Sequence, residues 1–401
     1  MNILYINSYD CSPLSSGGVN RVVNVLSDYL SSTFDYKCYL GFFEDIEERP
    51  LAHFEGRIKL CRNLDKVEFR TFLVKNGIQI IQVNFLKKHN LPVIADIYNI
   101  AKEQGIKVIY AFHMCPGFQT VTYGSFDMVK YCLKYRHNLS GEFKKYLLTL
   151  LNPILSPVQH TFLRSKYLLP YLNSDKTVLL SNYYTKPYMD IAGIKDASKL
   201  TAIGNCLTFD HTISKEKLSE KEKEIIIVAR FDEDTKRLSL ALKAWSKIEE
   251  KLQNTEWHLT LVGDGRDIDY YKYLVTKLNL KKVSFTGYQS PEKYYDRASI
   301  FLMTSSAEGW PMVLMEACQK GVVTIAMDSF GSLHDIIIDG YNGAIVPNND
   351  TNALANAIRE LTSNAEKRHI LAENAIESSR RFTIDKISNS WNSLFNEILR
   401  L

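Results

Sequence analysis

Long hydrophobic runs are missing from this 401-residue chain. No stretch approaches the roughly 18 uninterrupted apolar residues of a membrane span, so no transmembrane helix is expected. The opening "MNILYINSYD" sets no basic segment ahead of a long apolar one, and no signal peptide is expected either. Paired cysteines are missing too. The seven cysteines, at 11, 38, 61, 115, 132, 206 and 318, are scattered without a Cys-x-x-Cys spacing. That argues against a disulfide framework or a zinc knuckle and makes a reducing cytoplasm the expected home. Low-complexity tracts are absent, and 45% hydrophobic with 23% charged residues is the composition of a folded chain large enough for two domains. A strong excess of one charge is also lacking. The formal net charge is +4, too little for a nucleic-acid binder.

The charge that is present falls unevenly. Residues 1–200 hold 24 basic against 17 acidic side chains, and residues 201–401 hold 25 against 28. The basic excess gathers in "MVKYCLKYRHNLSGEFKKYLLTLL", where Lys130, Lys134, Arg136, Lys144 and Lys145 alternate with Tyr, Phe and Leu. Such a mixture suits peripheral contact with an anionic membrane through residues 125–166, at the inner face of the cell membrane. It suits equally a solvated helix face over core leucines, and both readings stand.

Short apolar strands alternate with amphipathic helices, the pattern of parallel α/β sheets. Strands are expected at 2–7, 37–42, 79–84, 107–112, 176–181 and 199–205, with helices at 19–32 and 91–104. Residues 125–172 contain no convincing strand and read as an all-helical insertion. After "TFDHTISKEKLSEKEKE", which reads as a linker, strands are expected at 225–230, 257–263, 282–287, 299–304, 322–327 and 344–347. Helices are expected at 236–250, at 267–278 and from Pro311 onward. The expected organisation is two doubly wound domains, 1–205 and 206–383, with a cleft at the strand C-terminal ends. The last helix, 384–401, spaces Ile384, Ile387, Trp391, Leu394, Phe395 and Ile398 along one face and is expected to return to the first domain.

Several residues fall at strand ends, where α/β proteins place their chemistry. Gly17 and Gly18 follow the first strand and precede a helix, so the backbone and the helix N–H groups could approach an anion; a plain turn is the alternative. His113 closes a strand ahead of a Pro-Gly turn, where it could touch substrate or donate a proton, although most single histidines do neither. Arg230 ends one strand and Lys236 begins the helix after it, two cations suited to a diphosphate leaving group. Asp232, Glu233 and Asp234 between them offer local salt bridges as the competing explanation. Asp-x-Asp occurs at 232–234 and 267–269, but no further ligand stands at metal-site spacing, so no metal is expected.

The stretch "SSAEGWPMVLMEACQKG" (305–321) starts a helix at Pro311 without a Ser, Thr, Asp or Asn cap. The N–H groups of Met312, Val313 and Leu314 are then expected to lack intrahelical acceptors and to need a partner. Either Glu308 folds in as a surrogate cap or a ligand anion takes the place. Glu316, one turn into an apolar helix, should meet a hydrogen-bond donor, and vicinal ribose hydroxyls would fit.

Together these elements resemble the retaining glycosyltransferases of family 4, which have the GT-B fold. The resemblance is carried by Glu308-Gly-Trp-Pro-Met-Val-Leu-Met-Glu316, which matches the family's E-x7-E signature, and by "VARFDEDTKR", "SSGGVNRVV", "LVGDGRD" and "FGSLHDIIIDGYNGAIVP". It covers most of the C-terminal half and scattered points of the N-terminal half. It implies a nucleotide-diphosphate sugar, UDP-linked by expectation, as donor. Arg230 and Lys236 would hold the diphosphate with the N–H groups of Gly18, Val313 and Leu314. Glu316 would bind the ribose, and Glu308 and His113 the transferred sugar. The reaction would be metal-independent, need no cofactor, retain anomeric configuration and move a hexosyl or N-acetylhexosaminyl group to a glycan or lipid-linked glycan. A nucleotide-sugar epimerase of the same fold and a non-catalytic nucleotide-sugar-binding subunit are the rival readings. Two features depart from the family pattern: Arg230 and Lys236 stand six apart rather than five, and "GNCLTF" (204–209) replaces the usual Asn-Pro.

Overall fold

The computed structural model describes residues 1–9, 18–44, 53–84, 93–118, 126–136 and 139–400. In chain order the first elements are β1 (Asn2–Tyr9), α1 (Gly18–Phe34), β2 (Lys37–Glu44), β3 (Phe54–Lys59), α2 (Lys66–Lys75), β4 (Ile80–Val83), α3 (Val93–Glu103) and β5 (Lys107–Phe112). Then come α4 (Phe126–Tyr131), α5 (Leu139–Asn173), β6 (Lys176–Leu179), α6 (Thr185–Ala192) and β7 (Leu200–Ala202). The second half adds β8 (Glu224–Val228), α7 (Leu238–Ser246), β9 (His258–Val262), α8 (Ile268–Lys277), β10 (Val283–Phe285), α9 (Glu292–Arg297) and β11 (Ile300–Met303). It closes with α10 (Met312–Gln319), β12 (Val323–Asp328), α11 (Leu333–Ile336), β13 (Gly343–Pro347), α12 (Thr351–Ser363), α13 (Ala365–Ser379) and α14 (Ile384–Arg400). These form two compact units: Met1–Gly117 with Gln159–Thr208 and Phe382–Leu401, and Phe118–Val158 with Phe209–Arg381.

The first unit is built on a seven-stranded parallel sheet in the order β3-β2-β1-β4-β5-β6-β7. Its central strands are apolar on both faces because helices cover both. Alternation assigns each residue of β1 to one side. Leu4 and Ile6 pack with Ile94, Ile97 and Phe69 of α3 and α2, whereas Ile3 and Tyr5 pack with Val23 and Leu26 of α1 and Trp391 and Phe395 of α14. The final helix thus lies in the first unit, its apolar stripe sunk beside α1 and Tyr36 donating to Asn392 at 2.5 Å. Strand β3 was not expected. Its burial follows no clean alternation and it sits at the sheet edge, so the pattern is too weak to read from sequence.

The second unit is a six-stranded parallel sheet in the order β10-β9-β8-β11-β12-β13. The stretch 208–224, expected as a linker, belongs to it from Phe209 onward, and Leu218 is buried in its core. The helical insertion expected at 125–172 as part of the first domain divides instead. Its leading part joins the second unit because Met128, Tyr131 and Cys132 enter that unit's core, with the Tyr131 ring 5.4 Å from Tyr270 and 5.2 Å from Tyr273. Asp127 bonds Lys243 and Lys277 at 2.9 Å each. Burial alone would raise the pKa of Asp127, but the two lysines hold it down to about 2. Helix α5 begins in the second unit and continues into the first, where Tyr167 and Tyr171 are buried. Among the described residues no helix is long and apolar enough to cross a membrane, and the six described cysteines are free.

Candidate active site

In the second sheet the strand order reverses between β8 and β11, so the loops leaving these strands diverge at their C-terminal ends. A shallow hollow lies there, lined by Ala229, Lys236, Thr304, Ser305 and Val313 among others. The loop after β8 is pressed against the loop after β9. Phe231 N–H donates to Asp264 O at 2.8 Å, and Asp267 N–H to Phe231 O at 3.2 Å. A Cβ on Gly263 (φ 138°) would stand 1.9 Å from the Ala229 carbonyl oxygen, and one on Gly265 2.5 Å from that of Phe231. The glycines of "LVGDGRD" therefore allow two backbones to touch.

The acids between Arg230 and Lys236 are all engaged. Asp232 accepts from Arg230 at 3.3 Å and from Arg266 at 2.8 Å; Asp234 accepts from Arg266 and, at 2.9 Å, from Lys145. Local pairing is thus real, yet the Arg230 side chain stays 72% exposed and able to reach a ligand. Glu233 points inward. It accepts from the backbone N–H and hydroxyl of Ser239, and burial lifts its pKa to about 7.

Lys236 forms an ion pair with Glu308, so the two loops meet through the two charges singled out in the sequence. Backbone bonds fasten the same meeting: Ser306 N–H to Thr235 O at 2.7 Å, and the Thr304 hydroxyl to Lys236 O at 2.8 Å. The expected helix 236–250 starts only at Leu238, because Arg237 stands in the left-handed region at φ 51°. Its buried guanidinium donates to Thr304 O and Ser305 O at 2.7 Å each, to Asn349 Oδ1 at 2.8 Å and to Asn348 Oδ1 at 2.9 Å. One residue thereby ties together the loops after β8, β11 and β13. A lone arginine beside a helix start carries no motif, and sequence reasoning passed it over.

Helix α10 follows. Pro311 is its N-cap residue rather than its first helical residue, and no side chain caps it. Glu308 bonds Lys236. Trp310, buried, donates its indole N–H to Met315 Sδ at 3.0 Å, a pairing across the cap that fixes the entry of the chain. The first turn tightens, so the Leu314 N–H, expected at the diphosphate, donates to Pro311 O at 3.0 Å. The Val313 N–H has no acceptor among the described residues. Glu316 is buried among Leu314, Met315 and Ala317 on the same helix.

Of the candidates in the first unit, Gly17 lies outside the described residues and Gly18 is the first residue of α1. His113 follows β5, its Nε2 3.0 Å from Asn84 Oδ1. Burial lowers its pKa to about 4. Among the described residues no group of three or more His, Cys, Asp or Glu side chains is placed to hold a metal ion.

Two doubly wound units with a cationic site at a topological switch point define the class, and comparison names it. The fold is GT-B. The chain superimposes on HepE of Anabaena, solved in complex with UDP, with a TM-score of 0.70, 16% identity and coverage of 99% of this chain and 100% of that one. Residues 209–378, nearly all of the second unit after its helical lead-in, match the family described as glycosyl transferases, group 1. An exopolysaccharide phosphotransferase of Streptomyces coelicolor is 31% identical over 218 residues, 54% of this chain and 22% of its own length. A Campylobacter jejuni α-1,4-N-acetyl-D-galactosaminyltransferase acting on an undecaprenol-linked glycan is 28% identical over 191 residues, 47% of this chain and 52% of its own. The chain thus matches about half or less of the length of these relatives.

Proposed function

We propose that the protein is a retaining glycosyltransferase of family 4 that moves a hexosyl or N-acetylhexosaminyl group from a UDP-sugar to a glycan or lipid-linked glycan in polysaccharide biosynthesis. The observation that carries this is the Lys236–Glu308 ion pair beside the uncapped α10. It brings a cation for a diphosphate and a carboxylate for sugar hydroxyls to one place, with Arg230 exposed nearby. Binding the donor would exchange the Lys236–Glu308 pair for a Lys236–diphosphate pair and free Glu308 for the sugar. The bond from the anomeric carbon to the diphosphate oxygen breaks as the acceptor oxygen attacks the same face, and the leaving phosphate takes the acceptor's proton. Arg230, Lys236 and the α10 N-terminus supply positive potential to the leaving group, a role that calls for no metal ion. Glu316 accepts from the ribose.

The test is a donor screen over UDP-, GDP- and ADP-sugars with the wild type, Lys236→Ala and Glu308→Ala. Lys236→Ala should weaken UDP at least tenfold and uridine little. Glu308→Ala should abolish transfer while leaving UDP affinity within a few-fold. Free epimerised donor appearing without acceptor, or unchanged turnover in Glu308→Ala, would refute the reading.

The same reading includes contact with an anionic lipid surface. Phe143, Leu147, Leu150, Ile154 and Val158 lie at helical spacing on α5 and are exposed, with the exposed Lys144 beside Phe143.

A further inference from the structure

A buried polar chain crosses the ends of three central strands in the first unit. Asn7 belongs to β1, Gln82 to β4, Asn84 follows β4, and His113 follows β5; the three amides are each at most 1% exposed. Gln82 Nε2 donates to Asn84 Oδ1 at 3.0 Å, and Asn84 Nδ2 donates to Asn7 Oδ1 at 2.8 Å. With its NH₂ turned to Asn7, Asn84 presents only its oxygen to His113 Nε2, 3.0 Å away. An amide oxygen carries no proton, so the facing ring nitrogen must. Nδ1 is then the bare nitrogen. It is buried and has no partner among the described residues. An acceptor left so loses about 1–3 kcal/mol that a donor from a ligand would restore.

We propose that Asn84 is a positioning residue, which holds His113 as the neutral Nε2–H tautomer so that Nδ1 accepts a hydrogen bond from a hydroxyl of the bound sugar. This rests on the reading of His113 as a donor-sugar contact. It also decides between the two roles open to His113 from sequence. Burial keeps the ring neutral at physiological pH, with no charged neighbour among the described residues contributing, so His113 accepts a hydroxyl proton in a hydrogen bond and does not deliver one.

Long-range proton–nitrogen NMR of the full chain labelled at its nine histidines tests the assignment, with His113→Gln identifying the signal. The expected wild-type spectrum shows an unprotonated Nδ1 that does not titrate between about pH 5.5 and 8. Asn84→Asp should set a carboxylate against Nε2, bring His113 into that titration range and make transfer fall about tenfold one pH unit below the new midpoint. An Nδ1–H tautomer in the wild type, ordinary titration near about 6.5, or an Asn84→Asp spectrum like wild type would overturn the proposal. If Asn84→Asp does not fold, the wild-type spectrum alone decides. Expected spectra with His113→Ala transferring at the wild-type rate would overturn the sugar contact and the positioning role, while leaving the tautomer in place.

Discussion

Arg237 offers a prediction whose sign can be worked from opposing terms. Its left-handed backbone is unfavourable for any residue but glycine by about 1–2 kcal/mol. Against this stand four hydrogen bonds from a buried charged donor, each worth about 1.5–3 kcal/mol and not fully additive. Arg237→Gly relieves the strain and forfeits the bonds. The Ser305 carbonyl keeps the Ser329 hydroxyl at 2.5 Å, which tempers the loss. We expect a net destabilisation of about 2–4 kcal/mol, or a fall in Tm of roughly 5–15 °C for a unit of this size. Arg237→Ala forfeits the same bonds and keeps the strain, so it should be less stable than Arg237→Gly by about 1 kcal/mol. UDP affinity should drop in both, because the loop holding Glu308 loses one of its ties to the loop holding Lys236. Thermal unfolding read alongside titration calorimetry checks each point. Arg237→Gly within about 0.5 kcal/mol of wild type, or alanine above glycine, would refute the reasoning.

Glu233 gives a pH dependence of the less usual sign. Its folded pKa, about 7, lies above that of an exposed glutamate, so between roughly pH 4.5 and 7 the folded state binds more protons than the unfolded one. Stability should therefore fall as pH rises through that window and level off above it. Glu233→Gln should flatten the slope in denaturant titrations at pH 5, 6 and 7, and an unchanged slope would count against it. For the lipid surface, sedimentation with vesicles containing anionic lipid should weaken with added salt and in Leu150→Ser/Ile154→Ser, while neutral vesicles bind little. Equal binding to both vesicle types would remove the electrostatic part of that reading.

Much of the fold was legible because parallel sheets write themselves as short, nearly continuous apolar runs between amphipathic helices. Twelve of the thirteen strands fall where such runs occur, and the exception, β3, is an edge strand with irregular burial. Arg230, Lys236, Glu308 and Glu316 stand out as candidates because charge at strand ends or inside an apolar helix breaks the local pattern. Arg237 and Asn84 were not. Their work lies in contacts 67 or more residues away for the arginine and 29 and 77 for the asparagine, and nothing in the adjacent sequence encodes such partners. The division of 125–172 was hidden for the same reason: amphipathic spacing shows that a helix must bury a face but not against which unit.

That division has a consequence for taking the molecule apart. Neither unit is a continuous stretch of chain. A fragment starting at Phe209, the natural place to cut, would leave behind the segment carrying Asp127 and Tyr131. Lys243 and Lys277 would lose their shared carboxylate, and Tyr270 and Tyr273 would be bared to water. Ending the first half at Thr208 would likewise strip away Trp391 and Phe395. A hybrid enzyme made by swapping halves with a relative would have to exchange residues 118–158 along with 209–381, and return the final helix to its original owner.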